Sequence, residues 1–262
     1  MPAPLYTAEN CRAAYQLNWS VSIFWRTSPP RESEWLDALK TSTEADGVRI
    51  LEHRFKSVGV SQFLVSTKPD SSPPQIVRCL KGRLQYLLRE QLPKAFRRNF
   101  SIHSVGSANL AAVDAYVASQ LEHHRMADQR VQLQLARQQV HCPESDLSLP
   151  MRGAHGEYRY NLHVVLVHEE RWTEVRDEVL TAIREMVLKA SGAKGHRLSR
   201  AGILADHVHL LLGCNLAESP QDVALGYLNN LAYAQRMRRV YQYGFYVGTV
   251  GEYDLGAIRG NF

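Results

Sequence analysis

Apolar and polar positions alternate in short stretches of this chain, and these stretches form an ordered series in its first 120 residues. Strand-like patterns occupy 15–25 (YQLNWSVSIFW) and 58–66. Amphipathic helix patterns occupy 35–40 and 74–84, and the second of them begins with Pro-Gln. A short strand and a last helix follow at 99–120. The periods of two and of about 3.6 residues predict the order strand, helix, strand, helix, strand, helix.

The same series recurs in the second half of the chain. Its members begin, in order, at 158 (YRYNLHVVLVH), 172, 204, 220 and 244. Each lies 137 to 147 residues after its counterpart. The fourth member, PQDVALGYLNN, opens with Pro-Gln like its counterpart PQIVRCLKGRL. Two ordered series at a nearly constant offset indicate an internal repeat of the kind that gene duplication produces.

Each copy has the element order of a ferredoxin-like module, in which helices cover an antiparallel sheet. We therefore predict an α+β fold with two such modules, at 1–120 and 158–262. The stretch 121–157 is rich in Gln and Arg and then in Pro and Ser. This composition predicts a continued helix followed by a linker.

The amino-acid composition limits the class of protein that this chain can be. A content of 45% hydrophobic and 22% charged residues is ordinary for a globular protein, and no apolar stretch approaches the ~18 residues that a membrane span needs. The first residues lack the basic and apolar regions of a secretory signal, so we expect a cytoplasmic protein. The four cysteines are widely spaced, without a CxxC pair, and we expect free thiols.

A net charge of +5 favours an anionic partner only weakly. The distribution of the charge is more informative, because basic residues cluster along one predicted helix region of each half. The clusters contain Arg78, Lys81, Arg83, Arg97 and Arg98 in the first half and Arg236, Arg238 and Arg239 in the second. Both suit the phosphates and unpaired bases of a nucleic acid. The alternative is a pair of half-buried helices with solvated arginines.

The stretch ADHVHLLLG at 205–213 places His207 and His209 one residue apart in an apolar strand. Side chains at this spacing point to the same face of a strand. The two histidines are therefore either packed core residues or two ligands of a metal site whose other parts lie elsewhere in the chain.

These stretches resemble the single-tyrosine HUH transposases, a family that includes the REP-associated tyrosine transposases. The family signature is a strand with His, a hydrophobic residue and His, often preceded by Asp, and DHVH at 206–209 matches it. A Pro-opened helix, a Phe/Tyr-Val-x-Thr-Val-Gly stretch and a helix with the tyrosine nucleophile follow in the family. FYVGTVG at 245–251 matches that stretch. The resemblance covers nearly the whole chain, twice, and implies an enzyme that cuts and rejoins single-stranded DNA.

The two halves depart from the family pattern in opposite ways. The nucleophile position, ten residues after the glycine of the last strand, is Tyr116 in the first half and Asn261 in the second. The two histidine positions are Val60 and Gln62 in the first half. One half therefore keeps the tyrosine and the other half keeps the histidines.

Family members are homodimers in which the tyrosine helix of one subunit docks against the histidine strand of the other. The resemblance therefore implies a fused, intramolecular pseudo-dimer with one composite active site. In that site Tyr116 is the nucleophile, and His207, His209 and Gln120 hold a divalent metal, Mg²⁺ or Mn²⁺. Gln120 lies four residues after Tyr116, on the same face of a helix.

The implied reaction is attack of Tyr116 on a DNA phosphodiester, which leaves a 5′-phosphotyrosine link and a free 3′-OH. Return of a 3′-OH rejoins strands without ATP. The expected partner is single-stranded DNA with a hairpin, bound by a monomer and, in a bacterium, at the nucleoid. Because one tyrosine cannot process two element ends at once, we expect a nickase, sequential action at two ends, or pairing with another copy.

Two other functions fit parts of the pattern. The first is a catalytically silent, domesticated protein that binds DNA hairpins, and the second is an unrelated metal hydrolase that uses water as nucleophile. Asp206 either orients a ligand imidazole or serves in a turn. For the remaining histidines, including His124 and His163, the sequence predicts packing and no functional role.

Overall fold

The computed structural model describes residues 3–154, 156–237 and 239–252. Two sequence predictions, the basic residue Arg238 and the last helix of the second half with Asn261, lie outside the described residues. The fold is α+β, as predicted. Within the described part of the chain, no helix is both long and apolar enough to cross a membrane.

Within the described residues the helices and strands follow the predicted order, and the second strand region of each copy is a hairpin of two strands. The first half contains β1 (Arg12–Gln16), β2 (Asn18–Trp25), α1 (Leu36–Ala45), β3 (Val48–Ser57), β4 (Val60–Thr67), α2 (Pro73–Leu88), β5 (Phe96–Val105) and α3 (Leu110–His123). The connecting segment contains α4 (Gln129–Gln138), β6 (Val140–His141), β7 (Met151–Gly153) and β8 (Gly156–Arg159). The second half contains β9 (Asn161–Val167), α5 (Asp177–Lys194), β10 (Arg197–Ile203), β11 (His207–Gly213), α6 (Pro220–Ala234) and β12 (Gly244–Val250).

The strands form two mixed sheets of six strands each. Their orders are β1-β12-β9-β11-β10-β6 and β7-β8-β5-β2-β4-β3. The run β12-β9-β11-β10 in one sheet corresponds strand by strand to β5-β2-β4-β3 in the other. The internal repeat of the sequence is therefore a repeat of strand order as well.

The halves exchange one strand each. Strand β1 precedes β2 in the chain but pairs in parallel with β12 of the second half. Strand β8 precedes β9 but pairs in parallel with β5 of the first half. In each case the chain changes sheets at one buried residue, Leu17 or Tyr160, and Tyr160 packs against Trp19 with ring centroids 5.2 Å apart. The hydrophobic core is continuous across this crossing.

Reciprocal hydrogen bonds also join the two sheets. The Ser104 hydroxyl donates to the Val250 carbonyl at 2.7 Å, and the Thr249 hydroxyl donates to the Val105 carbonyl at 2.6 Å. Because each bond has a counterpart from the other half, both sheets are held in equivalent positions at this junction.

The second helix of each copy begins at a capping box, which the Pro-Gln and Pro openings of the sequence anticipate. Ser72 and Gln75 form the box of α2, and Ser219 and Asp222 form that of α6. In each case Pro occupies the first turn. These caps start both helices at equivalent positions of the repeat.

Helix α3 leaves the first half and packs on β10 and β11 of the second half. The Asn109 side chain caps its N-terminus by accepting a hydrogen bond from the Ala112 amide at 2.8 Å. Two hydrogen bonds of 2.9 Å join the Arg200 guanidinium on β10 to the Asp114 carboxylate on α3. This crossing brings the predicted tyrosine helix onto the histidine strand.

The connecting segment differs from the predicted helix and linker. Helix α3 ends at His123 and a separate helix, α4, follows it. Strand β6 then joins the sheet of the second half, whereas β7 and β8 join the sheet of the first half.

Candidate active site

A pocket of about 500 Å³ lies where α3 meets the sheet of the second half. It contains the four predicted active-site residues together with five residues that the sequence did not assign to it. The lining is Tyr116, Gln120, His124, His163, Val165, Arg171, His207, His209 and Tyr246.

Tyr116 lies on α3 with its ring directed at the histidines. Its ring centroid is 5.6 Å from that of His209 and 6.0 Å from that of His163, in both cases edge to face. The residue is 49% exposed. A substrate in the pocket can therefore reach its hydroxyl.

His207 is buried, and its Nδ1 lies 2.6 Å from Asp206 Oδ1. The other carboxylate oxygen of Asp206 forms an ion pair of 2.9 Å with Arg171 Nε. Burial lowers the pKa of His207, although Asp206 opposes this effect. Both sequence alternatives for Asp206 are seen, because it contacts the imidazole and also lies in the turn between β10 and β11.

His209 is buried on the same strand face, with its ring centroid 4.8 Å from that of His207. Its Nδ1 lies 2.9 Å from His163 Nε2, and these two rings are stacked. Burial lowers the pKa of His209 to about 2 and that of His163 to about 4, so both rings are neutral near pH 7. His209 Nε2 is buried and makes no hydrogen bond with the described residues.

Gln120 is buried beneath Tyr116 on the next turn of α3. Its amide nitrogen donates to the Tyr116 backbone carbonyl at 3.1 Å, which leaves the amide oxygen for another partner. Two neutral imidazoles and one amide oxygen are a suitable donor set for a divalent cation. The unpartnered Nε2 of His209 fits such a role, since a buried polar atom without a partner is costly. Among the described residues no group of three or more His, Cys, Asp or Glu is arranged for a metal, and the predicted set has only two such residues.

The sequence missed His124, His163, Arg171 and Tyr246 as pocket residues. Each reaches the pocket from a different place: the end of α3, strand β9, the loop after β9, and strand β12. His163 had one signal in the sequence, a polar residue in an otherwise apolar strand. The positions of His124, Arg171 and Tyr246 in the pocket depend on how helices, strands and loops pack together, and hydrophobic periodicity does not predict this packing.

The predicted basic residues of the first half lie in different environments. Lys81 Nζ donates to three backbone carbonyls, those of Arg97, Arg98 and Asn99, and burial lowers its pKa to about 8. Arg83 is bonded to both oxygens of Asp46 at 2.7 Å. Arg78, Arg83, Arg97 and Arg98 are exposed, although Arg83 is paired with Asp46. Lys81 and Arg83 thus have partners within the protein, and Arg78, Arg97 and Arg98 are the remaining exposed members.

In the second half, Arg236 and Arg239 are exposed on the turn after α6. Both have left-handed backbone conformations, with φ of 52° and 57°. This turn adjoins the loop that follows β9.

The family model for IS200-like transposases matches residues 157–260. The match covers 104 of the 262 residues, and it shows that this part of the chain is similar to IS200-like transposases. The match begins just before β9 and includes the histidine strand, so the resemblance in the sequence is confirmed for the second half. A search of curated proteins gave no match.

Three solved structures show weak similarity. A transposase-like protein from Deinococcus radiodurans has 15% identity and a TM-score of 0.32, covering 41% of this chain and 92% of that protein. A REP-associated tyrosine transposase bound to a REP hairpin has 11% identity and a TM-score of 0.29, covering 38% of this chain and 61% of that one. A glycine cleavage system transcriptional repressor has 7% identity and a TM-score of 0.23, covering 90% of this chain and 98% of the other.

Proposed function

We propose that this IS200-like transposase relative cleaves and rejoins single-stranded DNA at one composite active site. The observation that carries the proposal is the position of Tyr116. A tyrosine from the first half shares a pocket with the two signature histidines of the second half. The shared strand order and the reciprocal strand exchange support a second part of the proposal, that the chain is an intramolecular pseudo-dimer of two ferredoxin-like modules.

The nucleophile is the Tyr116 hydroxyl. Attack by this hydroxyl requires removal of its proton. The oxygen attacks the scissile phosphorus, the bond to the 3′ oxygen breaks, and that oxygen takes up a proton to give a free 3′-OH. The product is a 5′-phosphotyrosine link, and attack by a 3′-OH on this link reverses the step.

His207, His209 and Gln120 would hold the divalent metal. When bound, Mg²⁺ or Mn²⁺ supplies Lewis acidity to the phosphate and offsets negative charge. The second contacts of the ligands set their tautomers. His207 Nδ1–H donates to the Asp206 carboxylate. With Nδ1–H of His209 as the donor to His163 Nε2, both ligand Nε2 lone pairs would be free for the metal.

Single-stranded DNA with a hairpin is the proposed substrate, as the family resemblance implies. The exposed arginines of the first half, Arg78, Arg97 and Arg98, would contact its phosphates. Lys81 contributes less to this surface, because its three donors are already bonded to backbone carbonyls.

The test is incubation of the protein with end-labelled single-stranded hairpin DNA and Mg²⁺ or Mn²⁺. We expect a covalent protein–DNA adduct that EDTA prevents and that Tyr116→Phe abolishes. Binding without an adduct would instead indicate a silent hairpin-binding protein. Cleavage that survives Tyr116→Phe would indicate a hydrolase that uses water.

A further inference from the structure

Two loops meet beside the pocket, which Arg171 of the first loop lines, and we call residues 168–176, 235–237 and 239–243 the loop pair. They are joined by backbone hydrogen bonds, from the Glu169 amide to the Val240 carbonyl and from the Gln242 amide to the Val167 carbonyl, both at 2.9 Å. A β-bridge links His168 to Tyr241. The two loops therefore form one continuous surface.

The loop pair contains every non-glycine residue with a positive φ in the part of the chain that the structure describes. These are Glu170 (50°), Arg171 (57°), Arg236 (52°) and Arg239 (57°). Such conformations are uncommon outside glycine, and they cluster at sites where the surrounding structure must place a side chain for function. Three of the four are arginines.

Next to Arg171 in the first loop lies Trp172, the only exposed tryptophan among the described residues. Trp172 is 38% exposed, whereas Trp19, Trp25 and Trp35 are at most 1% exposed. The Arg176 guanidinium lies 5.9 Å from the Trp172 ring centroid. Its Nη2 also lies 3.7 Å from the sulfur of Met237, an exposed residue of the second loop. The Trp172 ring therefore lies between Arg176 and the His168 ring, whose centroid is 5.6 Å away, and part of it faces solvent.

Arg171 connects this surface to the candidate active site. It lines the pocket and pairs with Asp206, which in turn contacts His207. Its side chain remains 53% exposed. The loop pair also contains acids: Glu169 and Glu170 precede Arg171, and buried Glu174 is paired with Arg176. The cation available to a phosphate at the pocket is therefore Arg171.

We propose that the loop pair binds the unpaired nucleotides that flank the scissile phosphate, with a base stacked on Trp172 and a phosphate bound by Arg171. The proposal rests on the proposed function, because it takes single-stranded DNA as the substrate. An exposed aromatic ring between basic residues is the usual platform for unpaired bases. In a duplex the faces of the bases are stacked on each other and cannot reach the ring.

Trp172 itself is the probe for the test. The Tyr116→Phe protein is titrated with an unstructured oligodeoxythymidylate of about twelve nucleotides, and tryptophan emission is recorded. Because the other three tryptophans are buried, quenching reports on Trp172. We expect quenching in Tyr116→Phe and none in the double variant Tyr116→Phe/Trp172→Phe.

Affinity for the same oligonucleotide is then measured by fluorescence anisotropy. Trp172→Ala should weaken binding about 10-fold or more, since one stacked base contributes ~1–3 kcal/mol, whereas Trp172→Phe should retain much of the affinity. Arg171→Ala should weaken binding and reduce the salt dependence by about one phosphate contact. Arg49→Ala is the matched control, because Arg49 is 69% exposed, has one carboxylate partner and lies on β3 of the other sheet.

Circular dichroism and thermal unfolding establish that each variant is folded. Unchanged affinity in Trp172→Ala and Arg171→Ala, with no quenching, would overturn the proposal even if the wild-type protein forms a covalent adduct with DNA. Quenching and loss of affinity in a protein that forms no adduct with any DNA would support the loop pair and overturn the proposed function instead. Failure of the oligonucleotide to bind at all would overturn the proposal for the loop pair.

Discussion

His163 is the residue outside the predicted set whose contact bears most on the candidate metal ligands. Nε2 of His163 lies 2.9 Å from Nδ1 of His209. Because Nδ1 of His209 makes this contact, Nε2 of His209 points away from it. The equivalent positions of the first half are Ser20 and Gln62, where the Gln62 amide donates to the Ser20 hydroxyl at 2.7 Å. The first half thus keeps a cross-strand hydrogen bond at this place, between an amide and a hydroxyl instead of two imidazoles.

His163→Ala should weaken Mn²⁺ binding by about 10- to 100-fold, because loss of a ligand's orienting partner typically has this effect. Electron paramagnetic resonance of free Mn²⁺ measures the affinity directly, without DNA. His141→Ala is a control, since His141 is exposed on β6. Wild-type affinity in a folded His163→Ala protein would show that His163 does not position the ligand.

The family resemblance implied the candidate ligands, and their local spacings agree with it. His207 and His209 share a face at a spacing of two, and Tyr116 and Gln120 share a face at a spacing of four. His163 and Arg171 could not be placed in this way. His163 lies beside His209 only through the register of β9 on β11, in which it pairs with Leu211. The position of Arg171 depends on a loop with two residues of positive φ.

Among the elements, the packing of α3 on β10 decides whether the site is complete. Gly202 on β10 pairs with His209, and a Cβ added there would lie 3.3 Å from Val117 Cγ1 and 3.4 Å from the Val117 carbonyl oxygen on α3. A larger residue would therefore push the tyrosine helix away from the histidine strand.

Gly202→Val should reduce the rate of Tyr116 adduct formation by at least 10-fold, because a displacement of about 1 Å has effects of this size on positioned groups. The rate is measured from the time course of the labelled adduct. Gly82→Ala is the control, since an added Cβ at Gly82 on α2 meets no atom within 4 Å. An unchanged rate in Gly202→Val would mean that close packing of α3 on β10 is not required.

The order of the elements follows from hydrophobic periodicity, but the exchange of β1 and β8 does not. The patterns at 15–25 and 158–168 run without a break through Leu17 and Tyr160, where the chain changes sheets. Alternation of buried and exposed positions specifies a strand, yet it does not specify the sheet in which that strand pairs. Which half receives α3 is likewise a matter of tertiary packing, and only the resemblance to composite-site homodimers anticipated it.

The molecule as a whole buries an unusual number of imidazoles. Burial lowers the pKa of His53, His163, His168, His196, His207 and His209. In the unfolded chain these groups titrate near pH 6.5. The folded state therefore binds fewer protons than the unfolded state below this pH.

The free energy of unfolding of the metal-free protein should thus be highest above pH 6.5 and fall as the pH drops from 7.5 to 5.5. The decrease in the free energy of unfolding should be on the order of a few kcal/mol. A shift of one pKa unit between the folded and unfolded states corresponds to about 1.4 kcal/mol for each histidine. Urea unfolding at several pH values measures it, in a range where carboxylates do not titrate strongly. A free energy that is constant or higher at pH 5.5 would contradict the assignment of neutral buried histidines.

The composite site within one chain can be tested by mixing two inactive variants. One is Tyr116→Phe, and the other is the double variant His207→Ala/His209→Ala. Because Tyr116 of each chain faces the histidines of the same chain, neither variant has a complete site. The equimolar mixture should form no covalent adduct with labelled single-stranded hairpin DNA and Mn²⁺, whereas the wild-type protein should form one. Recovery of adduct in the mixture would show that the tyrosine of one chain acts with the histidines of another, and would contradict the single-chain site.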